Sequence, residues 1–153
     1  MTALQAGRLG LGTAPLAGLF RPRDETDARA AIDCAWSLGI RHFDTAPLYG
    51  SGLAELRLGE APRDRPRDQF TISTKVGRLL RPGTPDPSFP GALPFGPIFD
   101  FSREGLRRSL EESLQRLQME HVDIVFLHDP DDHLDQALGA IGALTDLAAG
   151  LGV

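Results

Sequence analysis

Apolar positions along the chain switch between two periods. Short runs suited to strands occur at "LGLG" near Leu9, "IRHFD" from Ile40 to Asp44, "FTISTKV" from Phe70 to Val76 and "VDIVFLH" from Val122 to His128. Between them, apolar residues recur at three and four, the spacing of an amphipathic helix. Ala28, Ala31, Ile32, Ala35 and Trp36 form the first such stripe, and Gly39 supplies its stop. Leu53, Leu56 and Leu58 with Gly59 predict a shorter helix. Ser102 can cap a third, whose Leu106, Leu110, Leu114 and Leu117 share one face. Leu134, Leu138, Ile141, Leu144 and Leu147 predict a fourth, with wide apolar coverage.

A strand followed by a helix, repeated along the chain, implies parallel pairing and right-handed crossovers. Such a sheet is either an open doubly wound one or part of an eight-fold barrel. The pattern breaks once. Residues 79–100 hold six of the twelve prolines and three glycines, which predicts an irregular segment without helix or strand. A connection of that length in a compact domain is either functional or mobile. Phe89, Phe95, Phe99 and Phe101 give it, or lie beside it as, apolar side chains able to meet an organic ligand, so a lid or specificity loop is one reading and a disordered insertion the other.

Composition narrows the function. At 153 residues the default is one domain, 1–153, with 41% apolar and 24% charged residues as in ordinary globular proteins. A net charge of -5 argues against nucleic acid or an anionic membrane as main partner. The single Cys34 forms no internal disulfide, which fits a reducing cytoplasm, and its place in "AAIDCAWSLGI" predicts a small core residue. The opening "MTALQAGRLGLG" lacks the long apolar stretch of a secretory leader, and no run is long enough to span a membrane.

The polar residues at the strand ends carry the chemistry. Asp44 ends the second strand, with Tyr49, the only tyrosine, in the loop beyond it; Lys75 ends the third and His128 the fourth. All four therefore fall at the carboxyl edge of a parallel sheet, where such folds place their sites. Singly, each has an ordinary reading: a turn-forming aspartate, an interface phenol, a surface lysine, a capping histidine. Together they fit one reaction. A phenol ionises with a reference pKa of about 10, and an adjacent cation lowers it. Lys75 can be that cation, Asp44 can hold the ammonium, and His128 can share a hydrogen bond with the same substrate oxygen. The set would protonate a carbonyl oxygen as hydride reaches its carbon, or accept the alcohol proton in reverse. No metal is needed, and "HDPDDH" from His128 to His133 reads as a prolyl turn rather than a metal site.

The segments "GLGTAPLAG", "GIRHFDTAPLYGSGLAELRLGEA", "ISTKVGRLLRPG" and "FDFSREGLRRSLEESLQRLQMEHVDIVFLHDPD" together resemble the aldo-keto reductases, and within them the bacterial branch of aldose and fucose 1-dehydrogenases and pyridoxal 4-dehydrogenase. The resemblance implies a (β/α)8 barrel using NADP or NAD, with hydride moving between nicotinamide and an aldehyde, ketone or sugar hemiacetal. It places the family's catalytic Asp, Tyr, Lys and His on Asp44, Tyr49, Lys75 and His128. It puts Gly12, Thr13, Ala14 and Asp44 beside the nicotinamide, and gives Trp36 only a packing role.

A complete barrel of this type takes roughly 250 residues or more. The expectation is therefore an N-terminal (β/α)4 half-barrel. It would hold the acid–base half of a site and lack the later strands that grip the adenosine phosphate. Its first and fourth strands would be open edges. Either a homo-oligomer or a second half-barrel would close them. The alternative to an oxidoreductase is a non-catalytic half-barrel subunit or binding module that needs such a partner.

Overall fold

The computed structural model describes residues 9–61 and 65–150, the side chains of 148–150 excepted. The opening segment read for a leader lies largely outside the described residues. The order is β1 (Leu11–Gly12), α1 (Glu25–Ser37), β2 (His42–Asp44), α2 (Leu53–Glu60), β3 (Thr71–Val76), β4 (Arg78–Pro82), β5 (Phe95–Phe99), α3 (Arg103–Leu117), β6 (Ile124–Leu127) and α4 (Leu134–Gly150). Four strands form one parallel sheet in the order β1-β2-β3-β6. Strand residues alternate between faces. Phe43, Ile72 and Val76 turn to the helices and are fully buried. His42, Asp44, Ser73 and Lys75 turn to the other face. There the register sets Ser73 against Asp44 and Ile124, and Lys75 against Phe126.

The helices form where capping and apolar spacing agree. Asp24 caps α1 by accepting from Asp27 N–H at 2.7 Å, and Ser102 caps α3 by accepting from Gly105 N–H at 3.0 Å. Leu106, Leu110 and Leu117 are fully buried against the sheet, each stabilising by about 1.5–3 kcal/mol. Helices α2 and α3 touch at Gly59, where any Cβ would run into the Leu117 carbonyl. Trp36 packs edge-on to Phe70 at 6.1 Å, with the Arg41 guanidinium 3.7 Å over its ring, in keeping with a packing role.

One expectation about burial fails. Cys34 is exposed, because α1 turns Ala28, Ile32 and Ala35 inward and leaves position 34 on its outer side. On α4 the buried residues are Ala137, Ala140, Ala143 and Leu147, while Leu134, Leu138 and Ile141 are 56%, 64% and 53% exposed. The large side chains of that stripe lie to one flank of the face that meets α3.

The reading of residues 79–100 as irregular is also corrected. β4 and β5 pair antiparallel from Arg78↔Phe99 to Pro82↔Phe95 and form a second, two-stranded sheet. Pro82 and Pro97 are tolerated because a two-stranded ribbon has solvent-facing edges where a missing N–H costs nothing. The ribbon is hinged at Gly77, whose φ of 100° suits glycine and lets the Phe101 ring lie where a side chain would be. It folds back onto the loop after β2: Ser51 Oγ donates to Phe95 O at 2.6 Å, and Leu93 N–H to Gly50 O at 3.2 Å.

Candidate active site

The inner face of the sheet carries a hydrogen-bonded column of polar side chains. His42 Nδ1 lies 2.8 Å from Thr71 Oγ1, and His42 Nε2 lies 3.4 Å from Ser73 Oγ. Ser73 Oγ donates to Asp44 Oδ1 at 2.7 Å. Asp44 Oδ2 accepts from Lys75 Nζ at 2.7 Å, and the ammonium also donates to Thr45 O at 2.9 Å. The column ascends two residues per step, as the alternation of β2 and β3 requires. Both partners of the ion pair are half-buried, so solvent screens the pair only in part.

Tyr49 hangs over this column from a turn that starts at Ala46. Three neighbours define its ring. Lys75 Nζ lies 4.9 Å from its centroid, Phe89 stacks on it at 6.1 Å and 30°, and the His128 ring stands edge-on at 6.0 Å and 87°. The structure thus brings Asp44, Tyr49, Lys75 and His128 into one cluster at the carboxyl ends of β2, β3 and β6. Sequence reasoning missed Ser73, and it named Phe89 as a ring able to meet a ligand without foreseeing that it stacks on Tyr49. Ser73 was within reach, since it shares Lys75's face one period earlier. The Phe89 contact was not, because only the fold of the ribbon carries that ring to Tyr49.

His128 is buried, and its Nδ1 has no hydrogen-bond partner among the described residues. Burial pushes its pKa down from 6.5 to about 4, and the charges of Arg78 and Lys75 push the same way against Asp129 and Asp44. The imidazole is therefore neutral at ordinary pH. One of its nitrogens carries a hydrogen to donate. Arg78 is drawn off by Asp129, with Nη2 to Oδ2 at 2.6 Å, which leaves Lys75 as the cation beside the phenol.

Gly12 closes β1 at the same end of the sheet. A Cβ built on it meets nothing within 4 Å, so the backbone there borders open space beside Asp44. Thr13 N–H donates to Asp44 O at 2.9 Å, and Ala14 opens the short 3-10 turn Ala14–Ala17. A flat ring can approach this bare backbone. Among the described residues no group of three or more His, Cys, Asp or Glu is placed to hold a metal ion, and no helix is long and apolar enough to cross a membrane.

The sequence matches the profile of the Aldo/keto reductase family over residues 8–151. The chain belongs to that family. It is 43% identical over 141 residues to D-threo-aldose 1-dehydrogenase of a Pseudomonas species, covering 86% of this chain and 43% of that protein. It is 42% identical over 141 residues to pyridoxal 4-dehydrogenase of Microbacterium luteolum, covering 84% and 41%. A crystal structure from Pseudomonas aeruginosa described as an aldo-keto reductase superposes with a TM-score of 0.74 at 33% identity, covering 97% of this chain and 53% of that one. The parallel α/β fold thus corresponds to part of the aldo-keto reductase barrel, and the chain spans less than half the length of the two enzymes it matches.

Within this aldo-keto reductase fold, helix α2 holds a second buried polar group. Glu55 is 0% exposed and accepts from Arg116 Nε and Thr74 Oγ1, each at 2.7 Å. Thr74 precedes Lys75 and faces the opposite side. The Glu55–Thr74 bond therefore pins β3 from behind the site.

Proposed function

We propose that this chain carries the acid–base half of a site that moves hydride between a nicotinamide coenzyme, NADP or NAD, and a small aldehyde, ketone or sugar hemiacetal. The observation that carries the reading is the Asp44–Lys75 ion pair at 2.7 Å, with its ammonium 4.9 Å from the Tyr49 ring centroid. Gly12, Thr13, Ala14 and Asp44 would border the nicotinamide, which supplies or accepts the hydride. In the reductive direction Tyr49 gives its hydroxyl proton to the substrate oxygen as the carbonyl carbon is reduced. Negative charge then rests on the phenolate, where Lys75 stabilises it electrostatically. Asp44 keeps the ammonium aimed and charged. Neutral His128 donates an N–H to the same substrate oxygen and orients it. In the oxidative direction the phenolate takes the hydroxyl proton. Similarity to an aldose dehydrogenase and a pyridoxal dehydrogenase supports aldoses and aromatic aldehydes as first substrates. The single Cys34 supports a cytoplasmic setting.

The exposed inner-face residues Ile124 and Phe126 support a second reading, a non-catalytic half-barrel that works only with a partner. Titrating NADPH and NADH into the chain, with Trp36 fluorescence as the signal, separates the two. The enzyme reading expects saturable binding, and turnover of aldoses or pyridoxal that Tyr49→Phe lowers by about 10²-fold or more. Absence of saturable binding supports the non-catalytic reading.

A further inference from the structure

Two carboxylates flank the His128 ring, and each is claimed by its own cation. Asp44, at the end of β2, accepts from Lys75 Nζ at 2.7 Å. Asp129, the residue after His128, accepts from Arg78 Nη2 at 2.6 Å through Oδ2. The same Oδ2 lies 3.6 Å from His128 Nε2, just outside hydrogen-bond distance. One carboxylate oxygen thus stands between a guanidinium and an imidazole, and the guanidinium holds it.

Arg78 is fixed in that place. It opens β4 directly after the hinge at Gly77. Its side chain is 12% exposed, and its guanidinium carbon lies 4.7 Å from the Phe99 ring centroid. Phe99 is braced in turn by Phe101, stacked at 6.0 Å, and by the His133 ring at 4.3 Å. Among the described residues, Arg78 Nε is buried without a hydrogen-bond partner, and Asp129 is the one carboxylate paired with this arginine. A cation drawn out of water is costly without its counter-ion. The pair with Asp129 therefore stands ahead of any contact between Asp129 and a neutral ring.

We propose that Arg78 is a positioning residue of the acid–base site: by holding Asp129 it keeps that carboxylate off His128, so that the ring stays neutral and Nε2 stays free. A released Asp129 would close the remaining gap to Nε2. It would draw a proton onto the ring and occupy the nitrogen at once. With Asp129 held, Tyr49 remains the group that gives or takes the proton, and His128 only donates a hydrogen bond. The other groups that face the ring are Tyr49 from the loop after β2, Lys75 from β3 and Asp44 from β2, the last two paired to each other. Burial and then the Arg78 charge lower the His128 pKa, while Asp129 raises it, in keeping with this division of roles. As a statement about catalysis, the role rests on the acid–base reading given above.

NMR titration of the imidazole signals, on the chain without coenzyme or substrate, tests it. His128→Gln assigns the His128 signal among the four histidines. Asp129 is 64% exposed, which sets the effect at the low end of what a neighbouring carboxylate does. Arg78→Met should raise the His128 midpoint from about 4 by about one pH unit or more, a gain in proton affinity of about tenfold. Adding Asp129→Asn to Arg78→Met should abolish most of that gain, and Arg78→Lys, which keeps the charge, should stay close to wild type. An arginine that merely ties the ribbon to the sheet predicts one midpoint for both Arg78→Met variants. If Arg78→Met does not fold, Arg78→Gln keeps a donor for Asp129, and the same contrast with and without Asp129→Asn is read from it. A midpoint within about 0.3 pH unit of wild type, or a rise that persists in full when Asp129→Asn is added, overturns the inference. The titration needs no turnover. A chain with the expected midpoints that reduces no aldehyde overturns the proposed reaction alone, and an active chain with unmoved midpoints overturns this role alone.

Discussion

Replacing His128 by glutamine should change how stability depends on pH. The imidazole is buried, and burial together with Arg78 and Lys75 lowers its pKa from 6.5 to about 4. An unfolded chain therefore takes up a proton on His128 below about pH 6.5 that the folded chain refuses until about pH 4. The unfolded state binds more protons across that window, so stability is complete above it and falls as pH drops through it. At roughly 1.4 kcal/mol per pH decade the whole effect is about 3 kcal/mol. Integrated to pH 5.5 it is about 1.4 kcal/mol, and to pH 4.5 about 2.5 kcal/mol. Urea unfolding followed by Trp36 fluorescence gives the free energy of wild type and His128→Gln at each pH. Other groups titrate in both proteins, so the quantity of interest is the difference between them. Wild type should lose that much stability relative to the variant. A difference that stays flat from pH 7.5 to pH 4.5, within about 0.5 kcal/mol, would show that the histidine is not held neutral by its surroundings. A wild type that gains on acidification would mean that Asp129 and Asp44 outweigh burial.

Lys75→Met should cut any turnover by about 10²-fold or more and leave the unfolding free energy within about 1 kcal/mol of wild type; an unchanged rate removes the ammonium from the mechanism. Glu55→Ala leaves Arg116 without its buried partner and should cost about 3 kcal/mol in urea unfolding, whereas a loss under about 1 kcal/mol would mean that solvent reaches the pair. Shortening the tip of the β4–β5 ribbon between Gly83 and Pro94 removes Phe89 from Tyr49. In steady-state assays over a panel of aldehydes it should change relative kcat/KM values more than the coenzyme dissociation constant, and loss of coenzyme binding alone would contradict a specificity role.

Much of this protein was legible along the chain because short-range physics decides it. The three-and-four spacing of Leu106, Leu110 and Leu117, with Ser102 to cap it, is enough to make α3 and to choose its buried face. The alternation of β2 and β3 puts Asp44 and Lys75 on one side of the sheet. Once the strands run parallel, their carboxyl ends must collect at one edge with Tyr49 and His128. The remaining features depend on what packs against what. Cys34 sits within an apolar pattern, yet the angle at which α1 meets the sheet leaves it outside. Leu134, Leu138 and Ile141 look like core, but the small residues Ala137, Ala140 and Ala143 allow the closer approach to α3 and take the buried side. The ribbon at 78–99 forms despite its prolines because pairing between β4 and β5 is long-range, and no local propensity reports it. Phe89 reaches Tyr49, and Glu55 reaches Arg116, across 40 and 61 positions of sequence. Contacts of that range arise only when the backbone has folded, which is why the identity of the acid–base residues could be read from the chain while the rings and charges that hold them could not.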